Sequence, residues 1–217
     1  MTSWRDFASA PDVGLYNAEV VPRLLNWAGA ARVLQPWRAK AAELLTGTVV
    51  EVGFGSGLNV PLYPDDVTTV YAVEPSSLAW RLAGERVRRS PVQITRVALR
   101  GESLTLDDNS CDAALVTFTL CTVADPEAVL AEIARVVRPE GTLHFLEHGL
   151  APSAAVAAWQ RRLDRLQQRV ADGCHLTRDT RALIAAAGLE TVWSEAGFAR
   201  GPAPWTYLTV GVARARS

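Results

Sequence analysis

Residues 48–57 read T-V-V-E-V-G-F-G-S-G, and this stretch decides the fold. The run is apolar and β-branched apart from Glu51, with no polar–apolar alternation. That is the pattern of a strand covered on both faces of a parallel sheet. It stops at Gly53, Gly55 and Gly57, which let the backbone turn sharply and approach a ligand closely. Outward from it, V-T-T-V-Y-A-V-E (67–74), V-Q-I-T-R-V-A-L (92–99), D-A-A-L-V-T-F-T (112–119) and T-L-H-F-L-E-H-G (142–149) repeat the strand pattern.

Helix signals separate these runs. Ser76 caps a helix carrying Leu78, Leu82 and Val87. Asp125 followed by Pro126 starts another, with Val129, Ile133, Val136 and Val137 on one face, and Pro139–Gly141 stops it. Over Ser153–Ala171, Trp159, Leu163, Leu166 and Val170 form one apolar stripe, and Arg161, Arg162, Arg165 and Arg169 lie mostly off it as a solvated face. Gly173 suits the position past that helix end, and Thr177 caps the next helix, which runs through Leu183, Ile184 and Ala187 to Gly188. Residues 189–196 and 206–213 are strand-like with no helix between them, so they pair antiparallel at a sheet edge. Residues 17–45 read as one or two helices broken near Pro36. The alternation predicts an α/β fold: a doubly wound, Rossmann-like, mostly parallel sheet with a C-terminal antiparallel hairpin strand and N-terminal helices.

Composition narrows the function classes. A chain of 217 residues fits one domain with a full core. We divide 1–217 into an N-terminal helical cap (1–46), a cofactor-binding half (47–149), and acceptor-side helices with the hairpin (150–217). The net charge of −1 gives no electrostatic case for nucleic acid or an anionic membrane. Cys111, Cys121 and Cys174 are odd in number and far apart, which suits a reducing cytoplasm rather than a disulfide scaffold. The first residues lack a signal-peptide core, and no apolar run reaches the ~20 residues of a transmembrane helix. A cytoplasmic chain is therefore expected.

The glycine loop alone is weak evidence, because it also suits a plain strand-to-helix turn. Leu58 stands where a dinucleotide fingerprint has its third glycine, and there is no phosphate-loop lysine. Glu74, followed by Pro75, lies about 20 residues past the first glycine, where an acid accepts from ribose hydroxyls. Glu51 is an acid inside an apolar strand, costly to bury without partners. It binds either loop amides or a cationic ligand group. Glu102, with Ser103, follows the third strand and suits an adenine amino group. Three acids without a basic clamp describe a nucleoside that carries no phosphate and is preferably a cation.

The series E-V-G-F-G-S-G, V-E-P-S, G-E-S with L-T-L-D-D-N-S-C-D, and A-R-V-V-R-P-E-G-T-L-H-F-L-E-H-G resembles the class I S-adenosylmethionine-dependent methyltransferases, in that order and spacing. The resemblance implies that Glu51, Gly53, Gly55 and Gly57 line the methionine side of S-adenosylmethionine, that Glu74 holds the ribose, and that Glu102 and Ser103 approach the adenine. Pro75 and Leu120 complete the cofactor-binding set. Arg100 departs from the pattern, since many relatives carry an aspartate there. The second half (L-C-T-V, F-L-E-H-G and W-Q-R-R-L-D-R-L-Q-Q-R-V-A-D-G-C-H-L-T-R-D-T) resembles the thiol S-methyltransferase-like group (methyltransferase-like protein 7 type). It implies S-methylation of a small, mostly apolar acceptor, preferably a thiol, with S-adenosylhomocysteine as product. Some animal members carry an apolar N-terminal anchor, and none is seen here. Quinone C-methyltransferases and phospholipid N-methyltransferases share the cofactor half and stand as alternatives. Two more distant readings are a dinucleotide-binding oxidoreductase and a non-catalytic cofactor-binding module.

The acceptor side turns on D-G-C-H-L-T (172–177). Cys174 and His175 are adjacent, and the chain has no C-x-x-C, so no metal site is expected. The segment is either a helix end with a packed cysteine or a substrate wall over the cofactor mouth. A thiolate is the nucleophile in thiol methylation, so the site needs a proton acceptor. His148, at the end of the fifth strand, is the first candidate, and His175 the second. Each is equally readable as structural. Asp172 orients one of them or is a solvated acid. Cys121 lines the pocket, and His144 is structural. Trp4, Phe7 and Tyr16 are lid candidates, and Trp159, Trp193 and Trp205 read as core or pocket wall.

Overall fold

In the computed structural model, which describes residues 20–98 and 101–215, seven strands form one sheet in the order β3-β2-β1-β4-β5-β7-β6. The strands are β1 (Gly47–Val52), β2 (Val67–Val73), β3 (Gln93–Ala98), β4 (Cys111–Thr117), β5 (Val137–His148), β6 (Leu189–Phe198) and β7 (Tyr207–Ala215). The first five are parallel, and β7 pairs antiparallel with both β5 and β6. The helices are α1 (Val21–Gly29), α2 (Gln35–Ala42), α3 (Ser77–Arg89), α4 (Pro126–Val136), α5 (Ala154–Val170), α6 (Thr180–Ala186) and the single turn α7 (Ala203–Thr206). Trp4, Phe7, Tyr16 and Arg100 lie outside the described residues.

Both faces of the sheet are covered, which explains the unalternated strands. Val50, Val52, Ala114, Val116 and Phe145 pack against Val129, Leu130 and Ile133 of α4 on one face. Val49, Val70, Leu115 and Leu146 pack with Ala41, Ala42 and Leu45 on the other. The caps act as local chemistry dictates: Ser76 accepts from the Ala79 N–H at 3.1 Å and Asp125 from the Ala128 N–H at 2.9 Å. The chain leaves β1 for β2 and β3 on one side and returns to β4 on the other. The carboxyl ends of β1 and β4 therefore adjoin at the switch in strand order, where open α/β sheets bind ligands.

Four local expectations change. After the glycines the chain makes only a 3₁₀ turn, Val60–Leu62, before β2, because Pro61 and Pro64 leave no room for a longer helix. Helix α4 ends at Val136 and β5 begins directly at Val137, ahead of Pro139. The cap of α6 is Asp179, not Thr177: its carboxylate accepts from the Ala182 N–H at 3.1 Å. The apolar stripe of α5 faces outward, with Trp159 54% and Leu166 56% exposed. The helix rests instead on Ala157 and Gln160, whose amide bonds the Ala151 N–H and the carbonyls of Gly149 and Pro204. A buried amide that needs three backbone partners sets the helix rotation more firmly than apolar spacing does. Trp193 and Trp205 are also too exposed to be core.

Candidate active site

At the end of β1, Gly53, Gly55 and Gly57 all have positive φ, at 78°, 59° and 73°. The turn is pinned by two bonds to one acceptor: the Gly53 and Phe54 N–H groups donate to the Val73 carbonyl at 3.0 and 3.1 Å. A side chain at Gly53 would collide with Thr119 Oγ1 at 2.0 Å, whereas at Gly55 it would meet only the Gly53 carbonyl at 3.8 Å. The loop is thus tight against the loop after β4 at its first glycine and open at its second. Gly53→Ala is expected to cost about 3 kcal/mol, from left-handed strain and overpacking together. Differential scanning fluorimetry should show a Tm fall of roughly 6–12 °C. Adding Thr119→Ala should recover only the collision part, and an unchanged Tm in the single variant would contradict this account.

Glu74 closes the loop from β2. One carboxylate oxygen accepts from the Gly55 N–H at 2.7 Å and the other from the Ser76 N–H at 2.6 Å. Burial raises its pKa, opposed by those two bonds and by Arg96. Each oxygen keeps a further lone pair for a ligand hydroxyl. Arg96, which the sequence reading missed, donates to the Glu74 carbonyl at 2.6 Å and stands over the Trp80 ring. Pro75 is exposed beside it, and Glu102 and Ser103 follow the buried Gly101 across the same end of the sheet.

Glu51 is held by side chains rather than by backbone amides of the loop. It is fully buried and accepts from Asn59 Nδ2 at 2.9 Å and from the Tyr63 hydroxyl. Arg38 completes the group through Asn59 Oδ1 at 2.8 Å and Thr117 Oγ1 at 3.1 Å. Burial raises the Glu51 pKa to about 7 against these contacts. Burial likewise draws Arg38 down to about 10, which leaves it charged. Strand periodicity finds Glu51 only; its partners come from α2 and the 3₁₀ turn, so no local pattern announces them.

The acceptor-side candidates converge where β4 and β5 end. Glu147 is fully buried, and its carboxylate accepts from the N–H groups of Thr119, Leu120 and Cys121 at 2.8, 3.0 and 3.0 Å. This holds the loop after β4 and aims Cys121. The D-G-C-H-L-T segment folds back onto that loop, where the His175 N–H donates to the Cys121 carbonyl at 2.7 Å. Cys174 Sγ then lies 3.5 Å from Cys121 Sγ, and His148 Nδ1 lies 3.6 and 3.8 Å from the two sulfurs. Phe118, in the left-handed region at φ 57°, places its ring 4.9 Å from the imidazole. The contact with Cys121 pulls the Cys174 thiol below its ordinary pKa, while the same contact and burial push Cys121 well above. Burial alone would lower the His148 pKa, but Cys121, Glu147 and the Trp205 backbone outweigh it, and the net direction is up.

The geometry bears on three further candidates. Leu120 has no exposed side chain, because it packs into the core against β4 and α4; its backbone serves Glu147 and Arg178. Asp172 orients neither histidine. Its backbone is left-handed, φ 52°, burial raises its pKa, and its charge adds to what raises Glu74. His175 Nδ1 instead has Gln168 Nε2 at 3.1 Å and Asp164 Oδ2 at 3.3 Å beside it, and Asp164 also accepts from the Leu176 N–H. His144 is structural as expected, between the Ala41 carbonyl at 2.9 Å and Thr142 Oγ1 at 3.0 Å.

Comparison with known proteins follows the same outline. A methyltransferase-domain family profile matches residues 50–145, from inside β1 to inside β5. The chain is 35% identical over 168 residues to thiol S-methyltransferase TMT1B of Rattus norvegicus, covering 76% of this chain and 67% of that one. The chain belongs to the class I S-adenosylmethionine-dependent methyltransferases, in the thiol S-methyltransferase-like group. It spans about two thirds of the length of such relatives. It is also 30% identical over 136 residues to the phosphatidylethanolamine N-methyltransferase of Cereibacter sphaeroides, covering 61% of this chain and 66% of that one. A Thermotoga maritima protein described as a possible histamine N-methyltransferase superposes with a TM-score of 0.67 at 21% identity, over 94% of this chain and 99% of that one, a likeness of fold. As a methyltransferase this chain uses S-adenosylmethionine. The open face at Gly55 and the spare acceptors of Glu74 fit that cofactor. Among the described residues no helix is long and apolar enough to cross a membrane.

Proposed function

We propose that this methyltransferase acts on a small, mostly apolar thiol, with Glu74 on the cofactor ribose, the Gly53–Gly57 loop beside its methionine portion, and Glu102 with Ser103 near the adenine. S-adenosylmethionine, when bound, supplies a methyl group activated on a sulfonium, so no covalent enzyme intermediate is needed. The chain's own residues position the acceptor. Alignment of nucleophile and methyl supplies much of the acceleration in such a displacement.

The observation that carries the acceptor class is the lining beside the strand ends. Two sulfurs and an imidazole stand together there, and the carboxylate beside them, Glu147, is committed to three amides. Such a wall is soft and polarisable and leaves that carboxylate unavailable to an ammonium group. The D-G-C-H-L-T segment, bonded back onto the loop after β4, then serves as the wall between cofactor and acceptor. Similarity to thiol S-methyltransferases supports the same reading.

The test is incubation with methyl-labelled S-adenosylmethionine and a panel of hydrogen sulfide, alkyl and aryl thiols, a quinol, and phosphatidylethanolamine. Label on the thiols is the expected result. Label only on the quinol or the lipid would overturn the acceptor class and leave the methyltransferase standing.

A further inference from the structure

Nothing in methyl transfer itself requires two cysteines and a histidine in mutual contact, yet Cys121, His148 and Cys174 come together from three separate segments. We infer that these side chains form a binding site for one thiophilic divalent cation of the zinc type, with Cys121 Sγ, Cys174 Sγ and His148 Nδ1 as its ligands.

The first argument is metric. Tetrahedral zinc bonds thiolate sulfur at about 2.3 Å and imidazole nitrogen at about 2.0–2.1 Å. Tetrahedral angles then require ligand atoms about 3.8 Å apart for sulfur–sulfur and about 3.6 Å for sulfur–nitrogen. The observed edges are 3.5 Å between the sulfurs and 3.6 and 3.8 Å from sulfur to nitrogen. The triangle is already the base of such a tetrahedron, so binding asks for little movement.

The surroundings supply a second argument. A ligating histidine usually commits its other ring nitrogen to a carbonyl or carboxylate. Here Nδ1 faces the sulfurs, and the ring has a further hydrogen bond with the Trp205 backbone. The sulfurs have their own polar neighbours: Thr122 Oγ1 lies 3.6 Å from Cys121 Sγ, and Gln167 hydrogen-bonds Cys174. Charge also fits. A dication with two thiolates is neutral, as a buried site demands, each thiol giving its proton to solvent. Glu147 and Arg178 flank the group with opposite charges.

Three protein ligands leave the fourth tetrahedral position to water or to an incoming thiolate. Only the identity of that fourth ligand rests on the proposed function; the cation site does not. No spacing rule would find it, because the ligands are 27 and 26 residues apart in sequence.

The test uses the reduced full chain, cobalt(II) and zinc(II) alone, and no acceptor, so an error in acceptor class cannot affect it. One equivalent of cobalt should give thiolate-to-cobalt charge-transfer absorption with the intense visible bands of a tetrahedral site, and zinc should displace it with sub-micromolar affinity. Cys121→Ser and Cys174→Ser should each weaken zinc binding at least about a hundredfold. Cys111→Ser, remote from the group, should not. S-adenosylhomocysteine binding reports that each variant is folded. A wild-type cobalt spectrum without thiolate charge transfer, or zinc affinity unchanged in both serine variants, would overturn the site. The wild-type spectrum decides alone if the variants fail to fold.

Discussion

Glu74→Ala is expected to weaken S-adenosylhomocysteine binding at least about a hundredfold, roughly 3 kcal/mol, while leaving the domain folded. The carboxylate is proposed to serve two ligand hydroxyls through charge-assisted bonds, and such bonds contribute about 1.5–3 kcal/mol each. It also accepts from the Gly55 and Ser76 N–H groups, so the glycine loop loses an anchor in the same step. Those amides lie at a partly open ligand mouth, where water can replace the lost acceptor, and the fold should survive. Glu74→Gln separates the two roles. It keeps the shape but turns an NH₂ toward one of the two amides, so binding should fall by less than in the alanine variant. Isothermal titration with S-adenosylhomocysteine reads both. Near-normal affinity in Glu74→Ala would remove Glu74 from the ribose.

Glu147→Ala should produce a large loss of stability. Three N–H groups, of Thr119, Leu120 and Cys121, end on this fully buried carboxylate. An unsatisfied buried donor costs about 1–3 kcal/mol. The sum is about 5 kcal/mol, a Tm fall of roughly 10–20 °C for a chain of this size. Glu147→Gln should lie between. Its oxygen can still serve Thr119 and Leu120, which share one carboxylate oxygen, but its NH₂ would face the Cys121 N–H, donor against donor. If alanine proved no worse than glutamine, the loop after β4 would have another anchor. Because Glu147 also aims Cys121 at Cys174 and His148, the glutamine variant should disturb that group without unfolding the chain.

The two carboxylates mark the boundary of what sequence reading reaches. Glu74 was legible because its role depends on one strand end and a separation of about 20 residues from the glycine loop. Glu147 was visible only as the acid of an E-H pair, since its three donors belong to a loop that reaches it across the β4–β5 pairing. Asp164 was read past for a similar reason. On α5 it looks like one acid among arginines, and only the return of residues 172–176 brings His175 and Leu176 onto it.

By itself the sequence determined the parallel sheet, the antiparallel hairpin at its edge, the caps at Ser76 and Asp125, and the glycine turn at the switch point. Each follows from interactions within a few residues, where side-chain period and left-handed backbone are local properties. Tertiary structure alone decided the rest. It turned the apolar stripe of α5 outward because Gln160 needed three backbone partners inside. It gave Glu51 to Asn59 and Tyr63. It also closed Cys121, His148 and Cys174 into one triangle, because adjacent strands β4 and β5 and a single backbone bond from His175 bring together segments that no sequence period connects.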